Sequence, residues 1–169
     1  MKGLILYFIV FVLSGCATGW NSIKTYLPPY QFIGIDGNCR QVKFNFDSDK
    51  IVKNIGSAKE IKVCWLAGSF NNWAMSKSNP VYYYGGPWQD YLIIMELDTV
   101  ASYWVVVLPL PPGRYIYKYI VNNYDWIYDD ATELYNDGFG GYCSIITVPS
   151  FTAEEIEKYQ IDTNYLKIK

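Results

Sequence analysis

The sequence predicts an all-β fold, an immunoglobulin-like (early-set) antiparallel sandwich with a short C-terminal helix. Three observations predict it. Short apolar or alternating runs recur from Arg40 to Val148, turn residues (Gly, Pro and Asn) separate them, and no helical period appears between them. Val42-Lys43-Phe44-Asn45-Phe46 alternates cleanly, as a half-buried strand does. Ile61 to Leu66 is the next run, closed by Gly68 and two asparagines. Trp104 to Leu110 follows, with Trp104, Val106 and Leu108 on one face and assigned to the core. Tyr115 to Val121 places Tyr115, Tyr117, Tyr119 and Val121 on an aromatic face that reads as core. Lys118 must then point outward, because an unpaired ammonium is almost never buried. Ile127-Tyr128 and Ser144 to Val148 complete the strands, and Trp65, pointing away from Cys64 and Leu66, has no assigned environment. Thr152-Ala153-Glu154-Glu155 matches a capping box and opens a helix through about Tyr159.

Ala74 to Tyr103 falls outside that rhythm. It reads either as an aromatic surface loop holding Tyr82-Tyr83-Tyr84-Gly85-Gly86-Pro87-Trp88, or as an extra hairpin that includes Tyr91 to Leu97. Such a loop could serve as a protein contact, since Tyr and Trp anchor interfaces.

The first residues have the layout of a secretory signal. Lys2 supplies a positive start, Leu4 to Leu13 carry no charge over a stretch too short to span a bilayer, and Leu13-Ser14-Gly15-Cys16 follows. That tetrapeptide resembles the lipobox of bacterial lipoproteins, in which the cysteine thiol receives a diacylglycerol and becomes the mature N-terminus. The expected organisation is a signal peptide over 1–15, a lipidated Cys16, a tether over 16–37 containing Pro28-Pro29, the sandwich over 38–149 and a helical tail over 150–169. The resulting protein is lipid-anchored in a bacterial cell envelope.

Composition narrows the chemistry. The chain of 169 residues contains no histidine, which removes Ser-His-Asp and Cys-His nucleophile systems and the commonest metal ligand. Cys39, Cys64 and Cys143 fit no zinc spacing and leave open one disulfide with a spare thiol, or none. Fourteen basic residues against sixteen acidic ones, with no basic run, argue against nucleic acid. Asp125, Asp129, Asp130 and Asp137 cluster late in the chain, yet their spacing fits no calcium loop, and they read as solvated turn residues rather than catalytic acids. No cofactor, metal or catalytic residue is expected.

One feature resists a purely structural account. In Gly68-Ser69-Phe70-Asn71-Asn72-Trp73 a tryptophan sits at the tip of a polar turn, where it either folds back over the end of the sandwich or stays exposed. Taken with Leu108-Pro109-Leu110-Pro111-Pro112-Gly113, Tyr115-Ile116-Tyr117-Lys118-Tyr119-Ile120-Val121-Asn122-Asn123 and Trp126, this motif resembles the glycogen-binding module of the AMP-activated protein kinase β subunit, in carbohydrate-binding module family 48. The likeness runs from about Val42 to Val148. It implies a non-catalytic sandwich that binds α-glucan or a related oligosaccharide. Trp73 and Trp126 match the two stacking tryptophans, Lys118 a lysine that bonds sugar hydroxyls, and Phe139 lies roughly where a leucine pushes into the ring of glucose units. Asn72, beside Trp73 in the motif, joins the candidate contacts. The chain departs from the family in one extra residue between Lys118 and Trp126, in Cys143 or Ser144 for an asparagine, in Gly141 for a threonine, and in Asp129-Asp130 for Asp-Pro. The alternative reading is a sandwich that has lost the sugar and binds a protein through Tyr82–Trp88.

Overall fold

The structure is a computed structural model that describes residues 27–47, 60–74, 81–83, 91–122 and 125–163. The expected signal peptide, Cys16 and the first part of the tether lie outside the described residues.

Two sheets pack face to face. The smaller contains β1 (Tyr30–Asp36), β2 (Cys39–Phe46), β6 (Glu96–Asp98) and β7 (Tyr103–Leu110), in the order β1-β2-β7-β6. The larger contains β3 (Cys64–Gly68), β4 (Val81–Tyr83), β5 (Tyr91–Ile94), β8 (Gly113–Val121), β10 (Leu134–Asn136) and β11 (Tyr142–Val148), in the order β10-β11-β8-β3-β5-β4, with β9 (Asp125–Ile127) also paired to β8. All pairings are antiparallel except β4 with β5. The mostly β, immunoglobulin-like sandwich read from the sequence is therefore the fold.

The core follows from alternation. Val42, Phe44 and Phe46 of β2 and Trp104, Leu108 and Leu110 of β7 face Cys64 and Leu66 of β3, Tyr117 and Tyr119 of β8, and Ile146 and Val148 of β11. The aromatic rings interlock: Phe44 meets Tyr117 edge-on at 5.1 Å and Phe46 lies 4.6 Å from Tyr119. Cys64 lies in this core and Cys143 is buried, and Cys39, Cys64 and Cys143 stand as separate thiols.

Several expectations are corrected. The end of the tether is not a spacer, because Tyr30–Asp36 pairs along β2. Pro28 and Pro29 help to fix it there: their carbonyls accept from the side chain and backbone N–H of Asn45, both at 2.9 Å, which is how a polar residue of β2 comes to be buried. The region 74–103 is neither one loop nor a hairpin. Val81–Tyr83 runs parallel to β5, and the chain then changes sheets at buried Met95, whose N–H donates to the Cys64 carbonyl. Of the expected Tyr82–Trp88 surface only Tyr82 and Tyr83 are among the described residues, and they lie in this strand.

The C-terminal helix α1 (Ala153–Tyr159) starts at Thr152 with the capping box expected, Thr152 and Glu155 each bonding the other's backbone N–H. Arg40 of β2 clamps it. Its guanidinium holds both Glu155 oxygens at 2.8 Å, donates to the Pro149 and Ser150 carbonyls, and lies 4.9 Å from the Phe151 ring. Hydrogen bonding to Arg40, helped by the Thr152 N–H, lowers the Glu155 carboxyl to about 2. A depressed acid adds stability above its unfolded pKa and loses it as pH falls toward the folded value.

Three outcomes check this architecture. Phe44→Ala removes a fully buried ring and should cost about 3–5 kcal/mol in urea unfolding. Arg40→Ala should release α1 while leaving the sandwich folded, seen as faster amide exchange confined to residues 153–159. In the wild type the same loss should appear on acidification between about pH 4 and pH 2, where Glu155 takes up its proton.

Candidate functional site

The outer face of the larger sheet carries the site. Strand register puts Ile94, Trp65, Ile120 and Trp126 in one row across β5, β3, β8 and β9. In the next row Ala67 lies opposite Lys118, and the following step of the β8–β11 register brings Lys118 beside Cys143, itself opposite Tyr135. This face is not bare. Trp65, Ala67, Leu92 and Ile120 are buried as a second apolar cluster, which gives Trp65 the environment the sequence left open.

Trp73 is what helps to cover that cluster, and the turn before it shows why. Phe70 goes inward, 6.0 Å from Phe44 and 6.2 Å from Tyr115. Buried Asn71 accepts from the Gly68 N–H at 2.8 Å, and the Ser69 hydroxyl accepts from the Ile116 N–H at 3.2 Å, pinning the turn to β8. Only glycine fits at 68, since a Cβ there would stand 2.5 Å from the Ile116 carbonyl. With Phe70 and Asn71 committed inward, the backbone reverses through left-handed conformations at Asn72 (φ 49°) and Trp73 (φ 59°). Asparagine tolerates that region, but for tryptophan it costs about 1–2 kcal/mol. The indole is thereby laid over the sheet's outer face. One part leans on the second cluster and the rest lines an open cleft, so the indole covers the sheet's outer face and not the end of the sandwich.

That cleft, of about 490 Å³, brings together all five candidate sugar contacts: Asn72, Trp73, Lys118, Trp126 and Phe139. Trp126 is 44% exposed, and its ring centroid lies 6.3 Å from that of Trp73. The extra residue before Trp126 has not turned the indole away. The two planes are inclined by 45°, however, so the pair forms a shallow V and not a flat platform. The cause is the backbone: Trp126 stands on a regular strand opposite Ile120, whereas Trp73 hangs from a left-handed turn.

Lys118 points outward as expected, yet it is not a solvated lysine. Its Nζ lies 2.8 Å from Asp137 Oδ2, and the two side chains are only 14% and 17% exposed. Asp137 also organises the loop that presents Phe139. Its Oδ1 accepts from the N–H groups of Phe139 and Gly141, both at 2.9 Å, and its own N–H donates to the Gly141 carbonyl. Gly138 (φ 78°) and Gly140 (φ 88°) allow the chain to bend on either side of Phe139, leaving that ring 96% exposed at the rim. The Asp137 carboxyl is lowered to about 2, first by hydrogen bonding to Lys118 and then by the two backbone N–H groups.

The surroundings of Lys118 are otherwise apolar. Tyr135, Ile116 and Cys143 complete the lining, and burial raises the Cys143 thiol, which keeps it protonated. Of the two candidates for the family's asparagine, Cys143 lines the cleft; Ser144 is fully buried and accepts from the Asp129 N–H at 2.6 Å. The late acids are corrected in turn. Asp129 is buried and accepts from the Ala131 N–H, and Asp137 is tied into its loop, so neither is a solvated turn residue. Among the described residues no group of three or more Cys, Asp or Glu is placed to hold a metal ion. Tyr135 and Asp137 were not named as contacts from the sequence; Asp137 read only as a solvated turn residue.

The geometry makes one prediction testable by NMR. Asp137 should titrate at about pH 2 in the wild type and move up toward the ordinary carboxylate range, about 3.9, in Lys118→Met. Because its folded pKa is depressed, its contribution is complete above the unfolded value and lost as pH falls toward 2, where the Phe139 loop should loosen.

A search of curated proteins finds no match. The profile described as the glycogen recognition site of AMP-activated protein kinase matches residues 54–154, a span that runs from ten residues ahead of β3 to the start of α1 and contains every residue of the cleft. The chain belongs to that family of glycogen-recognition domains.

Proposed function

We propose that this chain is a membrane-tethered, non-catalytic lipoprotein of the bacterial cell envelope that binds α-glucan by stacking sugar rings on Trp73 and Trp126. The observation that carries the reading is the convergence of Trp73, Trp126, Lys118, Asn72 and Phe139 on one cleft in a chain of a glycogen-recognition family. A pyranose has C–H faces and a rim of hydroxyls, so indoles cover its faces while polar side chains take the rim. The V of the two indoles suits a curved chain better than a flat one, because successive glucose units of an α-1,4-glucan turn relative to one another. Phe139 stands at the rim as an apolar wedge. A non-catalytic role is supported by the structural engagement of Asp129 and Asp137.

Two stacked rings and a few hydrogen bonds, less the ordering cost, give a dissociation constant on the order of 1 mM to 1 μM. Repeated units along one polymer raise the effective affinity by avidity. The anchor is supported by Lys2, the uncharged Leu4–Leu13 run and Leu13-Ser14-Gly15-Cys16. A protein held at the envelope meets glucan outside the cytoplasm, such as maltodextrin on its way in.

Affinity electrophoresis in glycogen or amylopectin gels tests the binding. The wild type should be retarded, Trp73→Ala and Trp126→Ala should each lose roughly 2–10-fold in affinity, and the double variant should run as if no polymer were present. Equal mobility of wild type and double variant would sink the proposal. Metabolic labelling with palmitate tests the anchor: the wild type should take up label and Cys16→Ser should not, and label retained in Cys16→Ser defeats it.

A further inference from the structure

Asp137 lines the cleft, and stacking of sugar on the indoles gives it nothing to do. Its bonding is only partly spent. Oδ1 accepts two backbone N–H groups, whereas Oδ2 accepts from Lys118 Nζ alone and keeps one lone-pair site. The Lys118 ammonium has three N–H donors, of which one goes to Oδ2. Donor and acceptor therefore sit side by side, 2.8 Å apart, on a wall whose neighbouring Cys143 offers only a weak thiol.

We propose that Asp137 contacts the sugar directly, and that Lys118 and Asp137 together form a donor–acceptor pair that reads a vicinal diol. The proposal rests on the reading of the cleft as a glucan site. Oxygens of a gauche vicinal diol stand about one hydrogen bond apart, the same spacing as Nζ and Oδ2. One hydroxyl accepts from Nζ while its neighbour donates to Oδ2, closing a ring of charge-assisted hydrogen bonds in which each member polarises the next. Lys118 alone could only donate, and would leave the hydroxyl proton of the second group without an acceptor. An internal unit of an α-1,4-glucan carries one free vicinal diol, at C2 and C3. An internal unit of an α-1,3-glucan carries none, since its free hydroxyls at C2, C4 and C6 are not adjacent. Asp137 thus makes the cleft selective for linkage as well as for ring shape.

Calorimetric titration of the purified full chain with maltoheptaose and with an α-1,3-linked glucan heptasaccharide, its two terminal units O-methylated to remove their diols, tests the pair. The wild type should prefer maltoheptaose by roughly tenfold or more, the worth of a charge-assisted hydrogen bond. Asp137→Asn keeps an oxygen for the N–H groups of Phe139 and Gly141 but sets an NH₂ where Oδ2 was. It should lose about tenfold for maltoheptaose together with the linkage preference. Lys118→Met should behave alike, and the double variant should lose little more than either single one, because both groups serve one diol. Should Asp137→Asn bind as tightly as the wild type, or should the wild type hold both oligosaccharides equally, the diol pair is wrong while glucan binding stands. No heat or shift with maltoheptaose in the wild type overturns the glucan reading itself.

Discussion

The two-residue period of β8 is the constraint on which both halves of the molecule depend. It sends Tyr117, Tyr119 and Val121 into the core and Lys118 and Ile120 to the opposite face, and β8 pairs along its two edges with β3 on one side and with β9 and β11 on the other. A slip of one residue would carry the lysine into a core of aromatic rings and expose two tyrosines. The register is therefore held by the same burial that stabilises the sandwich, and the cleft inherits its precision from the core behind it. Because β9 and β11 share an edge of β8, Trp126 and Cys143 come to flank Lys118 although 17 residues separate them in the chain.

The turn after β3 adds the one element that regular strands could not supply. A strand tryptophan such as Trp65 lies within its sheet's own side-chain layer and is buried there by its neighbours. Trp73 is delivered from the side, over the second apolar cluster, by two successive left-handed residues. The backbone strain, about 1–2 kcal/mol, is offset by Phe70 against the main core and by the indole's own packing on the cluster of Trp65, Ala67, Leu92 and Ile120.

How much of this was legible in the sequence depends on which residues are asked. β2, β7, β8 and β11 announce themselves because a clean alternation survives where one face is core and the other is not. β1 was hidden by an irregularity: the pairing with β2 shifts register between Phe32 and Gly34, which scrambles its period and made Gln31-Phe32-Ile33-Gly34-Ile35 look structureless. β6 and β10 are three residues each, too short for any period, and Leu134-Tyr135-Asn136 is exposed throughout. Trp73, Lys118, Trp126, Phe139 and Asn72 could be named because they fall in family order. The angle between the indoles could not, since it is set by φ at Asn72 and Trp73. Nor could the partnership of Lys118 with Asp137, which spans 19 positions and exists only through the register of β8, β11 and β10.

That partnership also governs what kind of surface the cleft can be. A lysine standing alone on a wall of Ile116, Cys143 and tryptophan would pay for its partial desolvation and leave a positive spot that draws any anion. Paired to Asp137, the cleft has no net charge from these two groups while keeping both a strong donor and a strong acceptor. Since Asp137 stays ionised down to about pH 2, the balance holds over the whole range in which the protein would work. In the proposed glucan site, affinity built this way would come from apolar faces and directed hydrogen bonds. It follows that added salt, which screens attraction between separated charges, has little to act on in this cleft, and that the glucan recognition proposed above would rest on ring shape and hydroxyl geometry in place of long-range attraction.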